Sequence, residues 1–226
     1  EIAGLAGAPV ADVEALMLEE LARNGRGKVF DVALERLGVA TQPDLIKGLV
    51  EAYRDHRPAI SLWPGVREAL ADLAQDHRLA IVTDGVGRMQ RRKVEALGVE
   101  ALVQTVVYCW ELGWPKPDPR PYLKGLEALG AEPAQTLVVG DNPAHDMAAA
   151  RAAGLKSLRV RSGRFAAQAC PELPADAEAE SFVAAAPLIR AADATLLDSG
   201  AADARSLADL IVSRVKATLK PSPTVP

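Results

Sequence analysis

The pattern of apolar and polar positions divides the chain into two textures. Up to about residue 60, apolar residues recur at three- and four-residue spacings in "VADVEALMLEELARNG", "GKVFDVALERLGV" and "TQPDLIKGLVEAYRDHRP". That is the period of helices with one buried face, and the first two segments run out at or near a glycine suited to a helix end. The third begins at Thr41, a residue able to cap, and stops before Pro58. No strand-like run interrupts them.

From "SLWPGVREALADLAQDH" onward, short apolar runs alternate with amphipathic segments. The runs are "LAIVTDG" (79–85), "LVQTVVY" (102–108), "TLVVGD" (136–141), "KSLRVR" (156–161) and "ATLLD" (194–198). Among them lie "GRMQRRKVEALG", "PRPYLKGLEALG" and "AHDMAAARAAG", each closed by a glycine suited to the left-handed residue after a helix. Strand, helix, strand at this spacing predicts an α/β fold, a doubly wound parallel sheet covered by helices. The expected organisation is a small all-helical unit over 1–60, an α/β core over 61–218 and a mobile tail over 219–226.

In such sheets a ligand sits beyond the carboxyl ends of the strands. Thr83, Asp84 and Gly85 close the first run; Asp141 and Asn142 come at the end of the third, and Asp146 follows shortly after. Two carboxylates beside a glycine suit a hard cation such as Mg²⁺. The same pair could instead be the cap and the first-turn acid of the helix that follows. The Thr83 hydroxyl and the neighbouring backbone N–H groups could face one anion, or Thr83 could simply cap a strand-to-helix turn. Lys116 lies in "GWPKPDPRPY", where Pro115 and Pro117 restrict the backbone on both sides of it. An ammonium held that way could neutralise a transferring phosphoryl group, though a solvent-facing lysine in a proline-rich turn fits the same residues.

Composition narrows the partners. A net charge of −4 without a dense basic stripe removes the footprint of a nucleic-acid binder. Arg88, Arg91, Arg92 and Lys93 read as a solvated helix face. The longest nearly apolar stretch, "SFVAAAPLI" (181–189), is far short of the roughly 20 residues that span a membrane, and the acidic N-terminus is unlike a secretory signal. A cytoplasmic protein is the expectation. Cys109 and Cys170 match no metal pattern and read as thiols, while His56, His77 and His145 lie far apart. Trp63, Trp110 and Trp114 are candidates for the entrance of a pocket, or simple packing.

The order "LAIVTDG", "KPDP", "VVGDNPAHD", with about 25 to 35 residues from one to the next, resembles the second, third and fourth motifs of the haloacid dehalogenase superfamily of hydrolases. "LWPGVREAL" resembles the return from a helical cap into the core of cap-bearing members, and "AAARAAGLKSLRV", "ADATLLDS" and "SLADLI" resemble closing stretches of that fold. The resemblance implies that Thr83 binds the transferred phosphoryl group and Lys116 stabilises its charge. Asp84 and Gly85 would supply backbone contacts, Asp141 would be a Mg²⁺ ligand, and Asp146 would support the metal or its waters. The substrate implied is a small phosphorylated metabolite, with selectivity residing in the helical cap.

Members of that superfamily open on a strand ending in Asp-x-Asp, the nucleophile and the general acid and base. No Asp-x-Asp occurs in the 226 residues. Asp31, in "KVFDVALERL", is followed two positions later by Ala33 and reads as a cap-helix residue; Asp198 is followed by Gly200 and reads as the terminal strand. Because the missing strand would lie between those carrying Thr83 and Asp141, its loss is expected to leave core backbone groups unpaired. The natural chain is therefore expected to carry about 20 to 40 further upstream residues, one strand and part of a helix. A partner chain that supplies the strand is the second possibility. Three functions stay open: a Mg²⁺-dependent phosphomonoester hydrolase acting through an aspartyl-phosphate, whose nucleophile lies outside this chain; a catalytically inactive binding or regulatory module; and a receiver-like phosphoacceptor domain, which would leave residues 1–60 unexplained.

Overall fold

The computed structural model describes residues 1–25, 27–191, 197–199 and 209–214. The chain divides into two compact units, Glu1–His56 and a second unit from Arg57 onward, just before the expected boundary after residue 60.

The first unit is helical: α1 (Ile2–Ala6), α2 (Val10–Asn24), α3 (Val29–Arg36) and α4 (Pro43–Asp55). Its core is small, built on Ile2, Val13, Ala33, Leu34 and Leu49. Asp31 lies in the first turn of α3, as its helical spacing predicts. The expected Thr41 cap is not formed. The N-cap of α4 is Gln42, without a side-chain cap bond, and Pro43 at the first helical position supplies the preset φ instead.

The second unit carries α5 (Val66–Asp76), β1 (His77–Thr83), α6 (Gly87–Leu97), β2 (Thr105–Tyr108), α7 (Arg120–Leu129), β3 (Thr136–Gly140), α8 (Ala148–Ala152), β4 (Lys156–Val160), β5 (Ala177–Ala179), α9 (Phe182–Ala191), β6 (Leu197–Ser199) and β7 (Asp209–Arg214). Gly98 and Gly130, after α6 and α7, take the left-handed conformation their positions require. Side chains alternate across the sheet with a period of two. Leu79, Ile81, Leu137 and Val139 pack on one face beneath α5, α6 and α9. Ala80, Val82 and Val138 pack on the other with Tyr122 and Leu126 of α7 and Ala149 and Ala150 of α8. Helices on both faces explain why β1 and β3 read as nearly continuous apolar runs. Each fully buried aliphatic side chain there contributes about 1.5–3 kcal/mol.

The strand order is β2-β1-β7-β6-β3-β4-β5, with β7 also paired to β3. β1 with β2, β3 with β4, β3 with β6 and β4 with β5 are parallel. β7 is antiparallel to β1, β3 and β6. The α/β fold with a helix-covered parallel sheet is the expected one, β7 being its antiparallel member. One expectation is corrected: the place between β1 and β3 is filled, so their inner edges are paired, with Ala80 and Val138 both opposite Ile211. Asp198 belongs to a short strand beside β3 rather than to a terminal one, and β7 follows it. Residues 194–196, Gly200 and the tail 219–226 lie outside the described residues.

Candidate functional site

The carboxyl ends of β1 and β3 and the loop after β2 converge on one cluster within the second unit. Thr83 is the last residue of β1 and is 1% exposed. Its carbonyl accepts from Cys109 N–H at 2.9 Å, which ties it to the start of the loop holding Lys116. The alternative role of Thr83 as a helix cap does not occur: the N-cap of α6 is Val86, without a side-chain cap bond. The Thr83 hydroxyl instead donates to Gln90 Oε1 at 3.0 Å, in a buried contact. Gly85, between them, has φ 120°, a conformation strained for any residue with a side chain.

Lys116 is buried despite its charge, and its Nζ donates to Asp146 Oδ1 at 2.9 Å, with the two side chains 5% and 4% exposed. The solvent-facing alternative for Lys116 is thereby removed. Asp84 takes part through its side chain as well as its backbone position: Asp84 Oδ1 accepts from Lys116 N–H at 3.3 Å, joining the loop after β1 to the lysine loop.

On the β3 side, Asn142 caps the following turn, its Oδ1 accepting from Ala144 N–H at 3.1 Å and His145 N–H at 3.3 Å. Asp141 is therefore released from the capping role its position allowed. Asp146 Oδ2 accepts from Asn142 N–H at 2.9 Å, so each oxygen of Asp146 already has a donor and the carboxylate is fixed between the turn and Lys116. Burial pushes the Asp141 carboxyl up to about 7, the nearby Asp146 charge adds to that, and the Lys116 ammonium opposes it. The loop after β4 forms a further wall, since a Cβ on Gly163 would stand 3.5 Å from Asp141 Oδ2.

One buried carboxylate, Asp146, and one partly buried, Asp141, near the Lys116 ammonium form an oxygen-rich corner suited to a hard cation. Among the described residues no group of three or more His, Cys, Asp or Glu is placed to hold a metal. Mg²⁺ keeps several waters and takes one or two protein carboxylates, a demand that the side chains of Asp141 and Asp146 are chemically able to meet.

The cluster gathers Thr83, Asp84, Gly85, Lys116, Asp141 and Asp146. The tryptophans do not share one role: Trp63 is partly buried against the core, Trp114 lies beneath the Arg120 guanidinium at 4.7 Å, and Trp110 is exposed. Arg91, read as part of a solvated face, pairs with Glu111 at 2.6 Å and lies over the Tyr108 ring. Cys109 and Cys170 form no disulfide. No helix among the described residues is long and apolar enough to cross a membrane. The residue that sequence reasoning missed is Gln90. The only hint was its helical spacing from Gly87, Val94 and Leu97; that these four form the buried stripe of α6, where an amide needs a partner, is set by how the helix docks.

The sequence profile described as haloacid dehalogenase-like hydrolase matches residues 13–160. A phosphoserine phosphatase of Thermus thermophilus is 38% identical over 142 residues, covering 61% of this chain and 55% of that protein. A glyceraldehyde 3-phosphate phosphatase of Methanopyrus kandleri is 32% identical over 138 residues, covering 60% of this chain and 59% of that protein. The chain thus spans less than two thirds of the length of these relatives. A crystal structure of the magnesium-bound HAD-hydrolase YfnB of Bacillus subtilis superposes with a TM-score of 0.61 at 16% identity, covering 84% of this chain and 87% of that one.

Proposed function

Because the chain belongs to the haloacid dehalogenase-like hydrolases, we propose that its site serves Mg²⁺-dependent hydrolysis of a small phosphomonoester, with the attacking carboxylate supplied from outside these 226 residues. The observation that carries this reading is the buried Lys116–Asp146 pair beside Asp141 and at the mouth of β1, where Thr83 ends. A lysine that is 5% exposed at its side chain has a defined place, and a defined positive charge in a low-dielectric pocket suits a phosphoryl group in transfer.

Each residue then has a task. The Thr83 hydroxyl and the backbone N–H groups of Asp84 and Gly85 receive phosphoryl oxygens. Lys116 neutralises their charge, and Asp84, through Lys116 N–H, keeps the two loops in register. Asp141 would hold Mg²⁺, with Asp146 directing Lys116 and bonding the waters of the ion. Bound there, the cation would withdraw charge from the phosphoryl oxygens and ease attack. The phosphatase names of the relatives support phosphoryl transfer over carbon–halogen cleavage, which needs no metal corner.

One observation favours a second reading. The centre of the sheet edge, between β1 and β3, is taken by β7, and the chain contains no Asp-x-Asp. A module that binds Mg²⁺ and a phosphorylated ligand without turnover fits those facts. The test is a Mg²⁺-dependent phosphomonoester assay on the natural protein, with its intact mass and N-terminal sequence determined alongside. Turnover by a chain with an upstream Asp-x-Asp sustains the hydrolase. Mg²⁺ binding without turnover in the complete natural chain replaces it with the binding module.

A further inference from the structure

Gln90 is 7% exposed, and its amide spans two parts of the site. Its oxygen accepts the Thr83 hydroxyl proton at 3.0 Å, and its nitrogen lies where a side chain on Gly85 would be, 2.8 Å from that Cβ position. A threonine hydroxyl has one proton to give and two lone pairs to receive. If that proton is given to a phosphoryl oxygen, Gln90 Oε1 is left facing a hydroxyl lone pair, oxygen against oxygen, in a buried place. A buried acceptor left that way is unsatisfied and unfavourable. An amide has a remedy that a carboxylate or an alkyl group lacks, because rotation about its last bond replaces the acceptor by a donor.

We propose that Gln90 is a positioning residue that acts through Thr83: its amide accepts the hydroxyl proton when no anion is present and turns to donate to the same hydroxyl oxygen when one binds, directing the Thr83 proton onto the anion. The inference rests on reading the site as a phosphoryl site. It explains the bare Gly85 on a second count, since the missing side chain leaves the amide room to turn. It also explains a polar residue in the otherwise apolar stripe of Val94 and Leu97. Gln90 meets no substrate atom in this arrangement; its contribution is the direction of one O–H bond.

The test uses the 226-residue chain, Mg²⁺ and inorganic phosphate. With the glutamine side chains ¹⁵N-labelled, the Gln90 amide resonances are expected to shift on phosphate saturation in the wild type and to stay in place in Thr83→Val. Gln90→Glu keeps the acceptor and loses the donor, and is expected to weaken phosphate binding about tenfold, the worth of one misdirected hydrogen bond. In a Thr83→Val background the same substitution keeps only the repulsion of its added charge, and its penalty is expected to be clearly smaller than in the wild type, because there is no hydroxyl left to misdirect. Unmoved Gln90 resonances at phosphate saturation, or an equal penalty for Gln90→Glu in both backgrounds, overturns the inference while leaving the phosphoryl site intact. A wild-type chain that binds no phosphate overturns both. The resonance measurement needs no variant at position 90, so a poorly folding substitution does not remove the test.

Discussion

β1 and β3 are built alike, and β7 between them is not. Both outer strands run in the same direction, are buried on both faces and release their chains at the ligand edge, where Thr83 to Gly85 and Asp141 to Asp146 are placed. β7 runs the opposite way and meets that edge with its amino end, Asp209 pairing with Val82 and Ser199. The difference separates two jobs that one strand normally combines. A central strand must satisfy the backbone groups of its neighbours, and either direction does that. It must also deliver side chains to the edge, and only a strand leaving the sheet there is followed by a loop in the right place.

The comparison can be broken at several points, most severely at the lysine. Lys116→Met removes the ammonium from the buried Asp146 carboxylate, and the expected loss is about 3–5 kcal/mol in urea unfolding, the usual cost of stripping one partner from a buried pair. If β7 is the central strand, Ile211→Pro removes a ladder N–H between Ala80 and Val138; the expected loss is about 2–4 kcal/mol by the same measurement. An unchanged midpoint would place β7 elsewhere. Gly85→Ala forces a side chain onto φ 120° and against Gln90, for an expected about 1–3 kcal/mol.

A different kind of effect is a slope with pH. Unfolded, Asp141 releases its proton near 3.8; folded, it keeps the proton up to about 7. The native state then binds more protons between those values, so this group's contribution to stability is complete below about pH 4 and is lost as pH rises through about 7. Wild type minus Asp141→Asn, compared by urea unfolding at pH 5 and pH 8, should isolate that loss. Mg²⁺ should stabilise the wild type more at pH 8 than at pH 5, because the cation and the proton compete for one carboxylate.

The sequence disclosed the parts of this arrangement that depend on local pattern. Thr83 and Asp141 stand where an apolar run gives way to a turn, and Lys116 stands between prolines, so all three are visible as strand ends and a stiff loop. That Asn142 rather than Asp141 caps the next turn was not legible, because either short polar side chain can do it and only the backbone angles decide. Gln90 was hidden by its setting in "GRMQRRKVEALG", where arginines surround it and its burial depends on how α6 docks. β7 was hidden for a deeper reason. The apolar part of "DLIVSR" is too short for periodicity to tell strand from helix, and its place between β1 and β3 depends on partners more than 70 residues away along the chain.

Calorimetric titration of inorganic phosphate into the 226-residue chain, with and without Mg²⁺, tests the central claim most directly. The site described here should bind phosphate in the presence of Mg²⁺, bind it far more weakly without the cation, and lose the Mg²⁺ effect in Asp141→Asn. Phosphate binding that ignores both Mg²⁺ and Asp141 would contradict the account, as would no binding at all with Mg²⁺ present.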